Sequence, residues 1–274
     1  MGQSIGDLQP TPDRSVTEAR AYRARIYTRY LNTYLRRAQE MSPAEIAREG
    51  RRFDACFRDL LPADLEASIL EVGCGTGSFL RYLSSRGYRH CIGVDVAPQQ
   101  VEGASIIGAN VVERDALEYL RGQRESFDCI VAIDFLEHLR KIEVLDFLDA
   151  AEQALRPGGV IVLQTLNAEW PFFGGIMYGD FTHETAFTSH SMRQILNAAG
   201  FTHVRVVPAR DIVTGLLSGV RWVLWRIERA VFNGTRVFTQ NLIAAGRKAP
   251  ERDTLQGIIP KAVRTGATAK RSEG

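Results

Sequence analysis

Between residues 68 and 165 the chain repeats one rhythm: a run of three to six almost wholly apolar residues, then a longer stretch with helical spacing. The runs are SILEV at 68–72, CIGVD at 91–95, NVV at 110–112, CIVAI at 129–133 and VIVLQT at 160–165. A strand with one face in water alternates apolar and polar side chains. These runs are apolar on both faces, as strands buried in a parallel sheet must be. The stretches between them, including 77–86 and 139–155, read as helices. The expected fold class is therefore α/β, a doubly wound, mainly parallel sheet. In such sheets ligands bind beyond the carboxyl ends of the strands, near the point where strand order reverses.

A chain of 274 residues with 45% apolar and 24% charged content can bury one ordinary core with appendages. The formal net charge of +2 does not select nucleic acid as a partner. Cys56, Cys74, Cys91 and Cys129 have neither zinc-ligand nor disulfide-framework spacing, which fits a reducing cytoplasm. Residues 1–14 read as a flexible N-terminus without the apolar core of a signal peptide, and no window reaches about 18 uncharged apolar residues. Helices are expected over 15–61. In the first, Tyr22, Ile26, Tyr30 and Tyr34 recur at four-residue spacing, while Arg20, Arg23, Arg29 and Arg37 fall on other faces and read as a solvated basic surface. The second opens at Ser42-Pro43-Ala44-Glu45, a capping-box pattern.

The α/β domain is expected over 62–209, a helical extension over 210–248 and a disordered tail over 249–274. Within the extension, 211–232 carries too many apolar positions for one narrow stripe, among them Leu216, Leu217, Val220, Val223 and Leu224. Three readings stay open: burial against the sheet, a homodimer contact, or an interfacial helix. In the last, Trp222 and Trp225 lie at headgroup level and Arg221, Arg226 and Arg229 face anionic lipid.

The loop EVGCGTG, 71–77, joins the first run to a helix. Gly73, Gly75 and Gly77 let backbone approach a ligand closely and leave amides facing it. Their spacing leans away from the G-x-G-x-x-G of dinucleotide sites, and no Gly-Lys-Ser/Thr follows as a P-loop requires. Asp95 closes the second run, where a carboxylate can accept hydrogen bonds from both vicinal hydroxyls of a ribose. Asp115 follows the third and could accept from an adenine amino group. Either aspartate, taken alone, serves equally well as a helix cap or turn.

In this order and at these spacings, EVGCGTG, Asp95 in IGVDVAP, Asp115 in VVERDALEYL and the Pro157-Gly158-Gly159 turn resemble the class I S-adenosylmethionine-dependent methyltransferases, over roughly residues 53–207. The resemblance implies a Rossmann-like methyltransferase sheet with S-adenosylmethionine as cofactor. Gly73, Gly75 and Gly77 would pass its methionine part, Asp95 would hold the ribose and Asp115 or Ala116 the adenine. Glu71, Cys74, Val96 and Ile133 complete the expected cofactor shell.

Methyl transfer to a hydroxyl needs an acceptor in line with the sulfonium and a base for its proton. His138 follows the fourth run, and His183 and His190 lie in or beside a long glycine- and aromatic-rich loop after the fifth; these are the candidate bases, with His183 leading. His90 and His203 read as structural. AIDFLEHL resembles the fourth-strand segment of small-molecule O-methyltransferases, including those related to quinone-pathway enzymes, and no Asn-Pro-Pro-Tyr-like tetrad points to DNA bases. GDFTHETAFTSHSMRQILNAAGF is similar to the tail of methyltransferases encoded with polysaccharide and glycolipid assembly genes. The leading expectation is thus a hydroxyl of a saccharide or lipid-linked glycan precursor. A quinone-like or other small aromatic acceptor is the alternative, and a binding protein without chemistry a third. Small-RNA 3′-end methyltransferases carry a similar Glu-His pair, so Asp134, Glu137, His138 and His183 could hold a divalent ion, a reading set behind the metal-free one. A cytoplasmic protein, peripheral at the inner membrane face if the interfacial reading holds, is expected.

Overall fold

The computed structural model describes residues 22, 23, 25–27, 41–209, 226 and 239–250. Residues 22, 23 and 25–27 are helical. α1 (Pro43–Phe57) begins as its sequence dictates: the Ser42 hydroxyl accepts from the Glu45 amide at 3.3 Å, and the Glu45 carboxylate answers from the Ser42 amide at 2.8 Å. It buries Phe53 and Phe57 against Phe79 and Tyr82, with ring centroids 5.1 to 5.6 Å apart.

The elements then alternate: β1 (Ser68–Val72), α2 (Ser78–Ser85), β2 (His90–Asp95), α3 (Pro98–Ile106), β3 (Val111–Glu113), α4 (Ala116–Arg121) and β4 (Phe127–Ile133). A 3₁₀ turn (Leu136–His138) leads to α5 (Lys141–Ala154), β5 (Leu155–Leu166), α6 (Phe173–Met177), α7 (Ser189–Ala198), β6 (Thr202–Pro208) and β7 (Asn241–Arg247). The seven strands form one sheet in the order β3-β2-β1-β4-β5-β7-β6. β1 through β5 pair in parallel, while β7 is antiparallel to both β5 and β6.

Each central strand feeds two cores. Leu70, Val72, Ile130, Ala132, Ile161 and Leu163 face one; Ile69, Cys129, Val131, Val160 and Val162 face the other. That is why these runs lack polar alternation: both pleated faces are covered. The strand order reverses between β1 and β4, so their carboxyl ends open a crevice there.

Two expectations need correction. The stretch 241–247 falls inside the expected helical extension 210–248, yet it forms β7, wedged between β5 and β6. Leu242 and Ala244 enter one core, Ile243 and Ala245 the other. Close packing explains its small residues: a Cβ on Gly246 would lie 2.9 Å from Phe201 Cβ. The α/β unit therefore extends past 209 to take in β7. Second, Pro157-Gly158-Gly159 is a kink within β5, with Gly158 at φ 78° where the register against β4 shifts. Of the helix expected over 211–232 only Arg226, which is helical, is described; residues 1–14 and the tail beyond 250 lie outside the described residues. Among the described residues no helix is long and apolar enough to cross a membrane.

Candidate active site

At the β1–α2 loop the three glycines all have left-handed backbone, with φ 67° at Gly73, 52° at Gly75 and 78° at Gly77. Their surroundings differ. A Cβ on Gly73 would sit 2.7 Å from the Phe135 ring, and one on Gly77 would sit 3.1 Å from Ala104 Cβ. At Gly75 a Cβ would meet nothing nearer than Gln100 Oε1 at 3.8 Å. Gly73 and Gly77 thus let elements pack, and Gly75 is the position that keeps its side toward the crevice open.

Asp95, at the carboxyl end of β2, braces this loop: Oδ2 accepts from the Gly75 amide at 2.9 Å and Oδ1 from the Ala97 amide at 2.9 Å. Burial raises its pKa, opposed by those amides. Glu71 is 3% exposed, and its Oε2 has no hydrogen-bond partner among the described residues. Burial first, and the Asp95 charge second, push its pKa well above the carboxylate range. The crevice is a cavity of about 1240 Å³ lined by Glu71, Gly73, Cys74, Gly75, Asp95, Val96, Asp115, Ala116 and Ile133. Of the expected cofactor shell only Gly77 is missing from this lining, because it faces α3. The Asp115 carboxylate is also the N-cap of α4, with Oδ1 accepting from the Leu117 and Glu118 amides at 3.0 and 3.1 Å.

His138 lines the same cavity from the 3₁₀ turn after β4. The loop from 168 to 188 folds back onto that turn: the Glu184 and Thr185 amides both donate to Glu137 O, at 2.7 and 3.1 Å. This brings His183 against His138, ring centroids 4.9 Å apart. One potential ligand atom from each of Glu137, His138 and His183 lies within 4.8 Å of the others.

The tautomers follow from the neighbours. Thr182 Oγ1 donates to Asp180 Oδ1 at 2.6 Å and so accepts from His138 Nδ1 at 2.9 Å. Met177 O accepts from His183 Nδ1 at 3.1 Å. Both Nδ1 atoms carry their protons, which leaves the Nε2 of each ring as the lone-pair nitrogen. Burial, then the neighbouring His183, lowers the His138 pKa to about 4, so its ring is neutral at ordinary pH. Glu137 is 1% exposed, accepts from Thr165 Oγ1 at 2.8 Å, and is pushed up to about 8 by burial and then by Asp134.

Asp134, grouped with this cluster by sequence, lines the same cavity but is not one of the three residues whose ligand atoms converge. It sits at φ 51°, and its Oδ1 is taken by the amides of Gln164 at 2.9 Å and Asn241 at 3.0 Å. His190 is not brought to the cluster: it lies exposed on the first turn of α7 and does not line the cavity. His90 pairs with Glu66 at 3.1 Å, and His203 is exposed on β6.

The sequence reading missed Arg23. Expected on a solvated face, it is 7% exposed and forks onto Glu143 at 2.5 and 3.0 Å. Burial alone would raise the Glu143 pKa, but the guanidinium and the Arg140 amide hold it below the usual value. A buried arginine is marked only by its partner, here 120 residues away.

Comparison with known proteins agrees with this architecture. A family model described as a methyltransferase domain matches residues 22–206. A ubiquinone biosynthesis O-methyltransferase of Bartonella tribocorum is 30% identical over 125 residues, 44% of this chain and 49% of that protein. One of Methylocella silvestris is 32% identical over 124 residues, covering 43% and 47%. The chain thus matches about half the length of these curated relatives. Among solved structures, a SAM-dependent methyltransferase from Archaeoglobus fulgidus superposes with TM-score 0.58 at 22% identity, covering 80% of this chain and all of that one. A phosphoethanolamine N-methyltransferase of Haemonchus contortus, in complex with S-adenosyl-L-methionine, gives 0.53 at 15% identity, covering 77% and 58%. At such identities the likeness speaks for the fold. The family match, which spans the glycine loop, the crevice and the histidine pair, decides the assignment: the chain belongs to the methyltransferase-domain family.

Proposed function

We propose that this protein transfers the methyl group of S-adenosylmethionine to a phenolic hydroxyl of a small, quinone-like aromatic acceptor. The observation that carries this reading is one cavity shared by the Gly75–Asp95 loop and His138, in a chain matched by a methyltransferase-domain family. The donor set fits the cofactor: the Asp95 carboxylate at the end of β2 suits a ribose diol, and the open side of Gly75 admits an adjoining chain. The cavity exceeds the roughly 300 to 1,000 Å³ of ordinary ligand sites, leaving room for a second molecule. Of the two acceptor classes expected from sequence, the names of the curated relatives described above support the aromatic one.

The cofactor supplies a methyl group on a positively charged sulfur, so the chain's own tasks are orientation and proton removal. The Nε2 of His138, which lines the cavity, is placed to accept the phenolic proton, and the His183 ring packed against it at 4.9 Å is the second imidazole through which that proton can leave.

The cluster favours a second reading in which Glu137, His138 and His183 hold a divalent cation. Imidazole and carboxylate donors suit first-row divalent ions, and Thr182, Met177 O and Thr165 already orient all three ligands. Such an ion would lower the pKa of a coordinated hydroxyl.

Transfer of labelled methyl to a panel of phenols, with glycan-containing envelope extracts alongside, tests the acceptor. Label entering only the glycan fraction would overturn the aromatic reading. Activity surviving exhaustive chelation would overturn the metal reading.

A further inference from the structure

We propose that Arg23 is a positioning residue for the Glu137–His138–His183 cluster, and that the 22–27 helix closes the site by gripping both segments that carry its histidines. The inference rests on the methyltransferase reading for its activity measurements alone. The 3₁₀ turn Leu136–His138 is too short to satisfy its last carbonyl, and Arg23 Nη1 supplies that bond to His138 O at 2.5 Å. The same guanidinium clasps the Glu143 carboxylate, which in turn accepts from the Arg140 amide at 3.0 Å at the start of α5. One planar fork therefore joins the end of the turn to the first turn of the next helix.

The neighbours of Arg23 complete the grip. Tyr22 donates its hydroxyl to Glu184, the residue after His183, and its ring stands edge-on to Phe181 with centroids 6.4 Å apart. Tyr27 stands edge-on to the His138 ring at 6.2 Å. Glu184 is also bonded through its amide to Glu137 O, so all three residues of the cluster are tied to the same helical segment. A buried ion pair adds little stability over an apolar substitute, but it fixes geometry. Here that geometry is the placement of His138. Lysine keeps the charge but lacks the planar fork that reaches the carbonyl and both carboxylate oxygens together.

The test uses the full chain with Arg23→Lys, Arg23→Ala and Tyr22→Phe. Turnover of Arg23→Lys is expected to fall about a hundredfold, as for displacement of a catalytic group by about 1 Å, with cofactor affinity within about twofold of wild type. Millimolar guanidinium should restore part of the turnover of Arg23→Ala, where an equal concentration of sodium chloride does not. A readout independent of activity comes from imidazole NMR signals at one fixed pH. The chain has five histidines, and those of His138 and His183 should move or broaden in Arg23→Lys and, for His183, in Tyr22→Phe, while those of His90, His190 and His203 stay in place. If Arg23 variants do not fold, Tyr22→Phe alone carries the test. Unmoved His138 and His183 signals, or turnover and cofactor affinity falling together, would overturn the proposal. A wild-type protein inactive on every phenol would sink the aromatic reading instead and leave the NMR result to judge the grip.

Discussion

Replacing Gly75 by alanine adds one methyl group where the β1–α2 loop has φ 52° and the new Cβ faces open crevice, with only Gln100 Oε1 at 3.8 Å. The left-handed backbone costs an alanine about 1 to 2 kcal/mol. With no clash to add, thermal unfolding should drop by about 2 to 8 °C. Gly73→Ala bears the same strain at φ 67°, and its Cβ lands 2.7 Å from the Phe135 ring, which packs on Phe147. Overpacking adds about 1 to 3 kcal/mol there, for a total drop of about 4 to 20 °C. Cofactor affinity should rank the other way. The Gly75 methyl intrudes on the ligand and should weaken S-adenosylmethionine about 10- to 100-fold if the misfit costs as much as overpacking a core. Calorimetric melting and titration of both purified variants measure the two effects separately. Wild-type cofactor affinity in Gly75→Ala would refute the placement of the ligand along the open side of that loop.

Asp95→Asn should weaken cofactor binding about 10- to 100-fold, because charge-assisted hydrogen bonds are worth about 1.5 to 3 kcal/mol. In wild type, titrations between pH 4 and 8 should show affinity declining on the acid side at a pH above the usual aspartate range, since burial raises this carboxyl. His183→Ala should lower turnover about a hundred- to ten-thousand-fold with cofactor affinity retained; undiminished turnover in the folded variant would remove His183 as the base. His138 has a folded pKa of about 4, below the usual 6.5, so the unfolded chain binds more protons between those values. Its contribution to stability is complete above pH 6.5 and is lost as pH falls toward 4, by up to about 3 kcal/mol. His138→Asn should flatten that part of the stability profile, and a profile unchanged by the substitution would show that the ring is not held neutral.

The buried strands and the glycine loop were legible because each has a local signature: apolar residues on consecutive positions, and glycines where φ turns positive. β7 was not, since Ala244, Ala245 and Gly246 carry no strand-like local preference, and the smallness of Gly246 is set by Phe201, 45 residues away in sequence. The site shows the same divide. Asp95, Asp115 and His138 were found from their places after strands, and Asp115 proves to serve as a helix cap while also lining the cavity. The histidine pair needed the loop to fold back onto Glu137 O, which no spacing announces. His190 shares that loop's composition but belongs to the first turn of α7. Arg23 looked solvent-facing because its helical spacing differs from that of the tyrosines, and its burial depends on Glu143.

The contacts that complete the site span the chain: 107 residues from Asn241 to Asp134, 115 from Arg23 to His138, and 162 from Tyr22 to Glu184. Long-range pairings of this kind form late, after the loops they close have lost their freedom. During synthesis, the strands β1 to β4 and the glycine loop can assemble while the edge of β5 still waits for β7. A nascent chain at that point has the means to hold the cofactor, and it exposes a bare strand edge able to pair with another copy. Stalled chains ending before residue 239 should therefore retain S-adenosylmethionine binding and aggregate. The insertion of β7 between β5 and β6 is the event that ends the hazard.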